Sequence, residues 1–352
     1  MILTIVAGII VLSVLIFVHE LGHFILAKAT HCWVEEFGIG FPPRLYGKKF
    51  GDTIYSINWI PFGGFNKISG EVDPAAPRAL AARSHIVRLL VLAGGIIMNL
   101  LLPFVLMTAA YMFPHDIGVG KIEVQEVAPG SPAALAGILP GDTILTADGH
   151  PVSNTGDLSR FVVIDLGRQI TLTIQHSDGT AATVKLVPRW KPPAGETTTG
   201  TVSQNVDLTI VRESLPFWKA IPTGVTEVIQ TLLIYKNGII GMIVGTIPFE
   251  PTGPVGIVQV TGEVAHAGVS PLLELTAFLS IAIAVTQIIP FPAIDGGRML
   301  FVIIEWARRG KRISPKVEGI VHSIGFFILI ALMVAITYQD IVRWITGGSL
   351  TK

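Results

Sequence analysis

The residues best suited to chemistry stand at positions 19–23, which read His-Glu-Leu-Gly-His. On a helix, residues four positions apart share one face, so the imidazoles of His19 and His23 can bind a single metal ion. Glu20 then lies beside that ion, where its carboxylate can take a proton from water. Zinc is the usual metal for this spacing. The segment therefore predicts a zinc centre for hydrolysis.

A third metal ligand must come from elsewhere, because a catalytic zinc usually has three protein ligands and one open position. Asp295 is the best-placed candidate, since it follows the segment 290–294 (Pro-Phe-Pro-Ala-Ile) and precedes two glycines. The prolines interrupt a helix and the glycines allow close approach of the backbone. Glu274 flanks the same apolar segment at its other end. The alternative for Asp295 is an ordinary helix cap.

The composition is that of a membrane protein. Of the 352 residues, 14% are charged, whereas soluble domains are about one quarter charged. The mean hydropathy is +0.63. A formal net charge of zero gives no reason to expect nucleic acid as a partner. The single cysteine, Cys32, excludes an intrachain disulfide framework and a cysteine-rich metal site.

Four apolar stretches are long enough to cross a bilayer, which needs about 20 residues. They predict transmembrane helices at about 1–28, 88–113, 271–294 and 320–344. We expect the first stretch to be retained rather than cleaved as a signal peptide, because no basic residue precedes it. The His-Glu-Leu-Gly-His segment continues this stretch, so we expect it at membrane depth, where ionisable groups are costly and usually functional.

Lysine and arginine residues set the expected orientation, since short cytoplasmic loops carry an excess of them. They concentrate in the connection between the first two helices and in the connection between the last two. Both connections are therefore expected in the cytoplasm. The N-terminus, the long segment between the second and third helices, and the C-terminus are then outside.

The long outside segment divides into two parts. Residues 118–190 alternate strand-like runs with turns such as Asp148-Gly149, and predict a small β-rich domain with a short helix. Residues 191–269 begin as a linker and continue as apolar stretches interrupted by charges, which predict amphipathic helices on the membrane surface. A fifth transmembrane helix near 239–249 is the alternative, but so short a segment cannot cross.

The two motifs together resemble the site-2 protease family (M50) of intramembrane zinc metalloproteases, in its bacterial RseP-like branch with a single PDZ domain. The similarity covers nearly the whole chain, including Gly38-Ile-Gly-Phe-Pro-Pro and Ile60-Pro-Phe-Gly-Gly-Phe, which look like the re-entrant membrane β-loop of that family. It implies His19, His23 and Asp295 as ligands of one zinc ion and Glu20 as general base.

The fold implied by the resemblance is a polytopic α-helical membrane protein with four transmembrane helices, a re-entrant β-loop at about 38–71 and one inserted β-rich PDZ-like domain. Residues 1–113 and 270–352 then form the membrane core. A multi-pass protein of the bacterial cytoplasmic (inner) membrane follows. The implied substrates are single-span transmembrane proteins already trimmed outside, such as an anti-sigma factor or a remnant signal peptide.

Two positions depart from the family pattern. Gln287 stands where the family has an Asn that helps to hold the substrate backbone, and Gly95 stands where a Pro follows Ala93-Gly94. Gln287 keeps the amide but adds a methylene. We expect neither change to touch the metal ligands.

A protease that cuts a transmembrane helix must first unwind it, and an edge strand can do this by pairing with the extended substrate. The segment 53–57 alternates as a strand should, so Thr53, Ile54 and Tyr55 are predicted to bind substrate, together with Gly63 and Gly64 of the β-loop. The alternative is a plain structural hairpin.

The outer domain resembles a circularly permuted PDZ domain in the segments 127–137 and 139–142. PDZ domains bind extended peptide ends by strand addition. The domain is therefore expected either to capture a newly exposed C-terminus or to act as a size filter against substrates with large outer domains. Gly118, Val119 and Gly120 are predicted to form the loop that receives the peptide end.

Two other functions stay open at this point. A non-catalytic membrane adaptor would use only the PDZ-like domain, but the presence of Glu20 argues against it. A zinc transporter would need ionisable residues along a path, and the second and fourth helices offer almost none. Zinc ligands cluster, so six isolated histidines are expected at the surface: His31, His85, His150, His176, His266 and His322.

Overall fold

A computed structural model describes residues 2–248 and 251–346. These form two compact units, one comprising Met1–Ala110 with Pro251–Lys352 and the other Tyr111–Glu250. The described elements, in chain order, are α1 (Ile2–Ala29), β1 (Val34–Phe50), β2 (Thr53–Ile68), α2 (His85–Leu92), α3 (Gly94–Met112), β3 (His115–Val127), α4 (Pro132–Leu135), β4 (Thr143–Ala147), β5 (His150–Pro151), α5 (Thr155–Ile164), β6 (Ile170–Gln175), β7 (Ala181–Leu186), β8 (Thr201–Glu213), α6 (Phe217–Val244), α7 (Pro254–Ala267), α8 (Val269–Ile288), α9 (Asp295–Ala307) and α10 (Pro315–Ile345).

Five of the described helices, α1, α3, α6, α8 and α10, are long and apolar enough to cross a membrane. Four of them coincide with the predicted transmembrane helices, and the second of these is preceded by the short helix α2, which one residue separates from α3. The fifth, α6, lies where we predicted surface helices. It is one continuous helix of 28 residues with a hydropathy of 1.3, the lowest of the five.

The hairpin of β1 and β2 folds back on itself into four rows. Residues 34–39 pair with 64–68 on one side and with 54–57 on the other, and 54–57 pair in turn with 46–49. The outer rows are therefore 46–49 and 64–68; we call the second of these the edge row.

The prediction that Thr53, Ile54 and Tyr55 form an open edge is wrong. Ile54 and Tyr55 have partners on both sides, because the second half of β1 returns to cover them. Thr53 is buried, and its Oγ1 donates a hydrogen bond of 2.8 Å to the carbonyl oxygen of Val34. The alternating pattern predicted a strand correctly, but it carries no information on which row of the sheet the strand occupies.

The second unit contains a sheet in the order β7-β6-β4-β3-β8, with β5 paired to β4. Its core is formed by alternate residues of the strands, among them Ile122, Ile144 and Ile170. The predicted short helix is present as α4, where the Ser131 hydroxyl accepts from the backbone N–H of Ala134. The strand β8 lies beyond residue 190, at which we predicted the domain to end.

The predicted peptide-end loop at Gly118, Val119 and Gly120 is wrong, because these residues lie within β3. Gly118 and Val119 pair with Ile210 and Thr209 of β8. The N–H of Gly120 donates to the carbonyl oxygen of Ser153 at 2.8 Å. Their backbone groups are thus used inside the sheet and do not form an open loop.

Helix α6 packs against α5 of the same unit. Arg160 of α5 forms an ion pair with Glu227 of α6. The amide of Asn237, which is buried, donates to the carbonyl oxygens of Val163 and Ile164 at 2.7 and 2.8 Å. These bonds satisfy carbonyls at the end of α5 that have no partner within that helix.

Candidate metal centre and active site

The close crossing of α1 and α3 brings the histidine segment into the interior. A Cβ atom on Gly22 would lie 2.1 Å from the carbonyl oxygen of Gly94, and one on Gly94 would lie 2.6 Å from that of Gly22. A third glycine, Gly95, lies against the imidazole of His19, where a Cβ would be 2.4 Å from the ring. The crossing therefore requires glycine at these positions. The expectation that Gly95 does not touch a metal ligand is wrong.

His19, His23 and Asp295 come together as predicted. Nε2 of each histidine lies 3.0 Å from Oδ2 of Asp295, and the two Nε2 atoms lie 3.2 Å apart. Both histidines are buried. Glu274 instead accepts a hydrogen bond from Ser270 near the start of α8. Among the described residues, this is the one group of histidine, cysteine or carboxylate side chains whose donor atoms converge tightly enough to hold a metal ion.

The three donor atoms fit a zinc ion. In a regular tetrahedron with bonds of about 2.0–2.1 Å, neighbouring donor atoms are about 3.3 Å apart. The observed separations are 3.0–3.2 Å. Oδ2 of Asp295 is shielded from solvent, yet it forms no hydrogen bond of acceptable geometry within the described chain. A buried oxygen close to two ring nitrogens but bonded to neither is what a shared metal ion would explain.

His23 is oriented by α2. Its Nδ1 lies 2.8 Å from the carbonyl oxygen of Val91, which can only accept, so Nδ1 carries the proton and Nε2 presents its lone pair. The same helix is tied to α9, because Nη1 of the buried Arg88 lies 2.6 Å from Oε2 of Glu305. Burial would raise the pKa of the Glu305 carboxyl, but Arg88 and then Arg312 hold that pKa below its ordinary value. Helix α2 thus connects the two helices that supply metal ligands.

His19 is oriented by Asn99, a buried residue of α3 that the sequence motifs did not predict as a site residue. Asn99 Nδ2 lies 3.4 Å from His19 Nδ1, and Asn99 Oδ1 has no hydrogen-bond partner among the described residues. A half-turn of the amide places the oxygen against His19 Nδ1, which then donates its proton. That arrangement satisfies Oδ1 and leaves the lone pair of His19 Nε2 for the metal.

Replacing Asn99 with Leu is expected to weaken zinc binding by about 10–100-fold, as is typical when the outer partner of a ligating histidine is lost. Asn99→Asp keeps an acceptor and should retain more of the affinity. Zinc affinity is measured in detergent by competition with a chelator. Ser280→Ala is the matched control, since it removes a hydrogen bond of 2.8 Å to the backbone oxygen of Asn99. Wild-type affinity in Asn99→Leu would contradict the orienting role.

The start of α9 is held tightly against the loop before it. A Cβ on Gly296 would lie 2.2 Å from the carbonyl oxygen of Ile289, and one on Gly297 would lie 2.2 Å from that of Phe291. This confirms that the two glycines permit close approach. The N–H of Asp295 donates to Oε1 of Gln287 at 3.3 Å. Gln287 Oε1 therefore accepts from the backbone of a metal-ligand residue, contrary to expectation, and its contact with substrate stays a prediction.

A cavity of about 240 Å³ opens beside the three ligands. Glu20 lines it, as do Gly64 and Asn66 of the edge row. Gly63 packs against α1 instead, where a Cβ would lie 2.6 Å from the Ile16 side chain. The complete lining is Glu20, His23, Phe41, Gly64, Phe65, Asn66, Ile68, Glu71, Leu80, Val91, Leu92, Asp295 and Arg298.

Charged groups face one another across this cavity. Glu71, just after the edge row, accepts a hydrogen bond of 2.7 Å from Nη1 of Arg298 on α9. Glu20 lines the same cavity and forms no such pair with a lysine or arginine among the described residues. The arrangement combines three metal donors, one unpaired carboxylate and a space bordered by the outer row of a sheet.

Known proteins resemble this chain over nearly its whole length. The profile of Peptidase family M50 matches residues 7–332. A candidate zinc metalloprotease of Clostridium perfringens is 35% identical over 343 residues, which cover 96% of this chain and 98% of the relative. The zinc metalloproteases RasP of Oceanobacillus iheyensis and Geobacillus kaustophilus are 27% and 26% identical, over 97% of this chain and 99% and 98% of their own lengths.

Proposed function

We propose, from the premise that this chain belongs to peptidase family M50 and is a zinc metalloprotease of the site-2 type, that it cleaves peptide bonds inside the membrane. The observation that carries the proposal is the position of the metal ligands. His19 lies about 25 Å along α1 from its first residue, Ile2. The hydrocarbon core of a bilayer is about 30 Å thick, so a site on this helix lies at membrane depth if the helix crosses.

The residues divide the chemistry between them. His19, His23 and Asp295 would hold the zinc ion, which supplies Lewis acidity toward the scissile carbonyl and toward water. Glu20 takes a proton from the attacking water and passes it to the leaving nitrogen. Asn99 and Val91 keep the two imidazoles in the tautomer that binds metal.

The edge row is the place where we expect an extended substrate to pair. Residues 64–68 have a partner strand on one side, and four of the five line the cavity. The amide nitrogen and oxygen of Asn66 are both shielded from solvent and have no partner within the described chain. An unpaired amide beside the catalytic residues favours a polar ligand such as a peptide group.

The substrates we propose are single-span proteins already trimmed outside, of the anti-sigma-factor or remnant-signal-peptide class. We propose that four helices cross the bacterial cytoplasmic membrane. The N-terminus, the sheet domain and the C-terminus then lie on its outer side. The packing of α6 on α5 supports a surface position for α6, since its Asn237 and Glu227 are occupied by α5. The PDZ-like domain would filter substrates by size or capture a peptide end.

The test uses the purified protein in lipid nanodiscs with a single-span substrate, either intact or trimmed outside. We expect cleavage of the trimmed form within its apolar segment, mapped by mass spectrometry, and slow or absent cleavage of the intact form. The same apolar segment dissolved in detergent as a free peptide is the control for membrane placement. Cuts confined to the soluble parts of the substrate would reject intramembrane cleavage while leaving the metalloprotease assignment intact.

A further inference from the structure

The loop that delivers Asp295 contains a backbone conformation that ordinary residues avoid. Ala293, two positions before Asp295, has a φ of +80°. A side chain with a Cβ atom is disfavoured there, whereas glycine is not. Such a conformation persists only where neighbouring groups enforce it. The question is which group enforces it here.

Helix α10 holds the loop at two adjacent turns. The N–H of Ala293 donates a hydrogen bond of 3.0 Å to Nδ1 of His322. One turn further along, Gly325 lies against Pro292, where a Cβ would be 2.3 Å from the proline ring. Gly325 lets α10 approach Pro292 closely, and His322 adds a hydrogen bond to the next residue, Ala293.

His322 is itself held in place. Its ring centroid lies 5.3 Å from that of Phe301 on α9. Because Nδ1 accepts from Ala293, the ring proton lies on Nε2. That nitrogen is shielded from solvent and has no partner among the described residues. Among the described residues, the ring of His322 therefore makes one hydrogen bond, the one from the N–H of Ala293.

The Ala293 conformation sets the direction from which the chain enters α9. The first residue of α9 is Asp295, whose Oδ2 lies 3.0 Å from both histidine nitrogens. If Ala293 relaxed to a negative φ, the chain would leave Pro292 in another direction and carry that oxygen away from His19 and His23.

We propose that His322 is a positioning residue for the metal centre, which holds Ala293 in its left-handed conformation and thereby places Asp295. The inference rests on the zinc site and not on where in the membrane cleavage occurs. It assigns a role to a histidine that the sequence placed among isolated surface residues.

The test compares two variants of similar shape. His322→Leu removes the acceptor, and we expect zinc affinity to fall by about 10–100-fold. The cleavage rate should fall in parallel when it is measured at one fixed, limiting concentration of free zinc. His322→Asn keeps an oxygen near the position of Nδ1 and should retain most of the affinity. Zinc affinity is measured without substrate, so failure of the intramembrane proposal would not affect this readout. Ser323→Ala is the matched control, because the Ser323 hydroxyl donates only to the carbonyl oxygen of Gly319 on the same helix among the described residues.

A second substitution separates positioning from packing. Ala293→Gly removes the penalty of the left-handed conformation, so in the His322→Leu background it should recover about tenfold of the lost zinc affinity. In the wild-type background it should change little. Wild-type zinc affinity in His322→Leu would overturn the proposal. Equal losses in the Leu and Asn variants, with no recovery by Ala293→Gly, would also overturn it and point to packing. Melting of each metal-free variant in detergent verifies that it is folded.

Discussion

Glu20→Gln is expected to lower the cleavage rate by about 10²–10⁴-fold while the protein still binds one zinc ion. Glutamine has the shape of glutamate but cannot accept the proton that water must lose. Glu20 lines the cavity beside the ligands and is not one of the three convergent donors. Bound zinc, measured by elemental analysis, should therefore match wild type while cleavage of the trimmed single-span substrate is lost.

Glu71→Gln is the control for this result, because Glu71 is another carboxylate that lines the same cavity. Its carboxylate is engaged by Arg298 at 2.7 Å, so we expect a smaller loss of rate. If Glu20→Gln cleaved at the wild-type rate and Glu71→Gln did not, Glu71 would be the base and the assignment from the His-Glu-Leu-Gly-His segment would fail. If neither change mattered, a base outside this cavity would be required.

Asp295→Asn is expected to remove zinc and activity together. The substitution keeps the size of the side chain but replaces a charged oxygen donor with a weakly coordinating amide, in a site where each of three protein ligands is needed. The loss of affinity should exceed the 10–100-fold that is typical of changes behind the ligands. Competition with a chelator in detergent measures it, and added zinc at high concentration should restore part of the activity.

Glu274→Gln is the comparison for Asp295, since the sequence offered both carboxylates as the third ligand. Glu274 bonds to Ser270 and stands apart from the two histidines, so this variant should bind zinc normally. Tight zinc binding by Asp295→Asn together with weak binding by Glu274→Gln would reverse the assignment. The contrast with Glu20→Gln is also informative, because loss of a ligand should lower zinc affinity and cleavage rate together, whereas loss of the base should lower the rate alone.

The parts of the site that the sequence predicted well depend on neighbours along the chain. His19 and His23 are separated by one helical turn, so their spacing alone places both imidazoles on one face. The prolines and glycines around Asp295 alter the backbone locally, and the break before α9 lies where they predict it. The long apolar helices follow for a similar reason, since a bilayer demands continuous apolar runs of a set length.

The errors concern contacts between separate strands and helices rather than spacing within one of them. The segment 53–57 is a strand, as its alternation predicts, but the return of β1 covers it and leaves 46–49 and 64–68 as the outer rows. Gly118, Val119 and Gly120 have loop-forming residue types, yet they are paired by β8, which begins some 80 residues later. The changes at Gln287 and Gly95 were not expected to touch the metal ligands, and both residues contact ligand residues.

The sequence by itself therefore predicted the three convergent donors, the carboxylate beside them and the apolar helices, because local spacing and the apolar solvent act on contiguous residues. Tertiary structure alone decided which row of the hairpin borders the cavity, and that Asn99 and His322 support His19 and Asp295. Those contacts join residues 80 and 29 positions apart. They arise from the packing of whole helices, which no pattern within a single segment encodes.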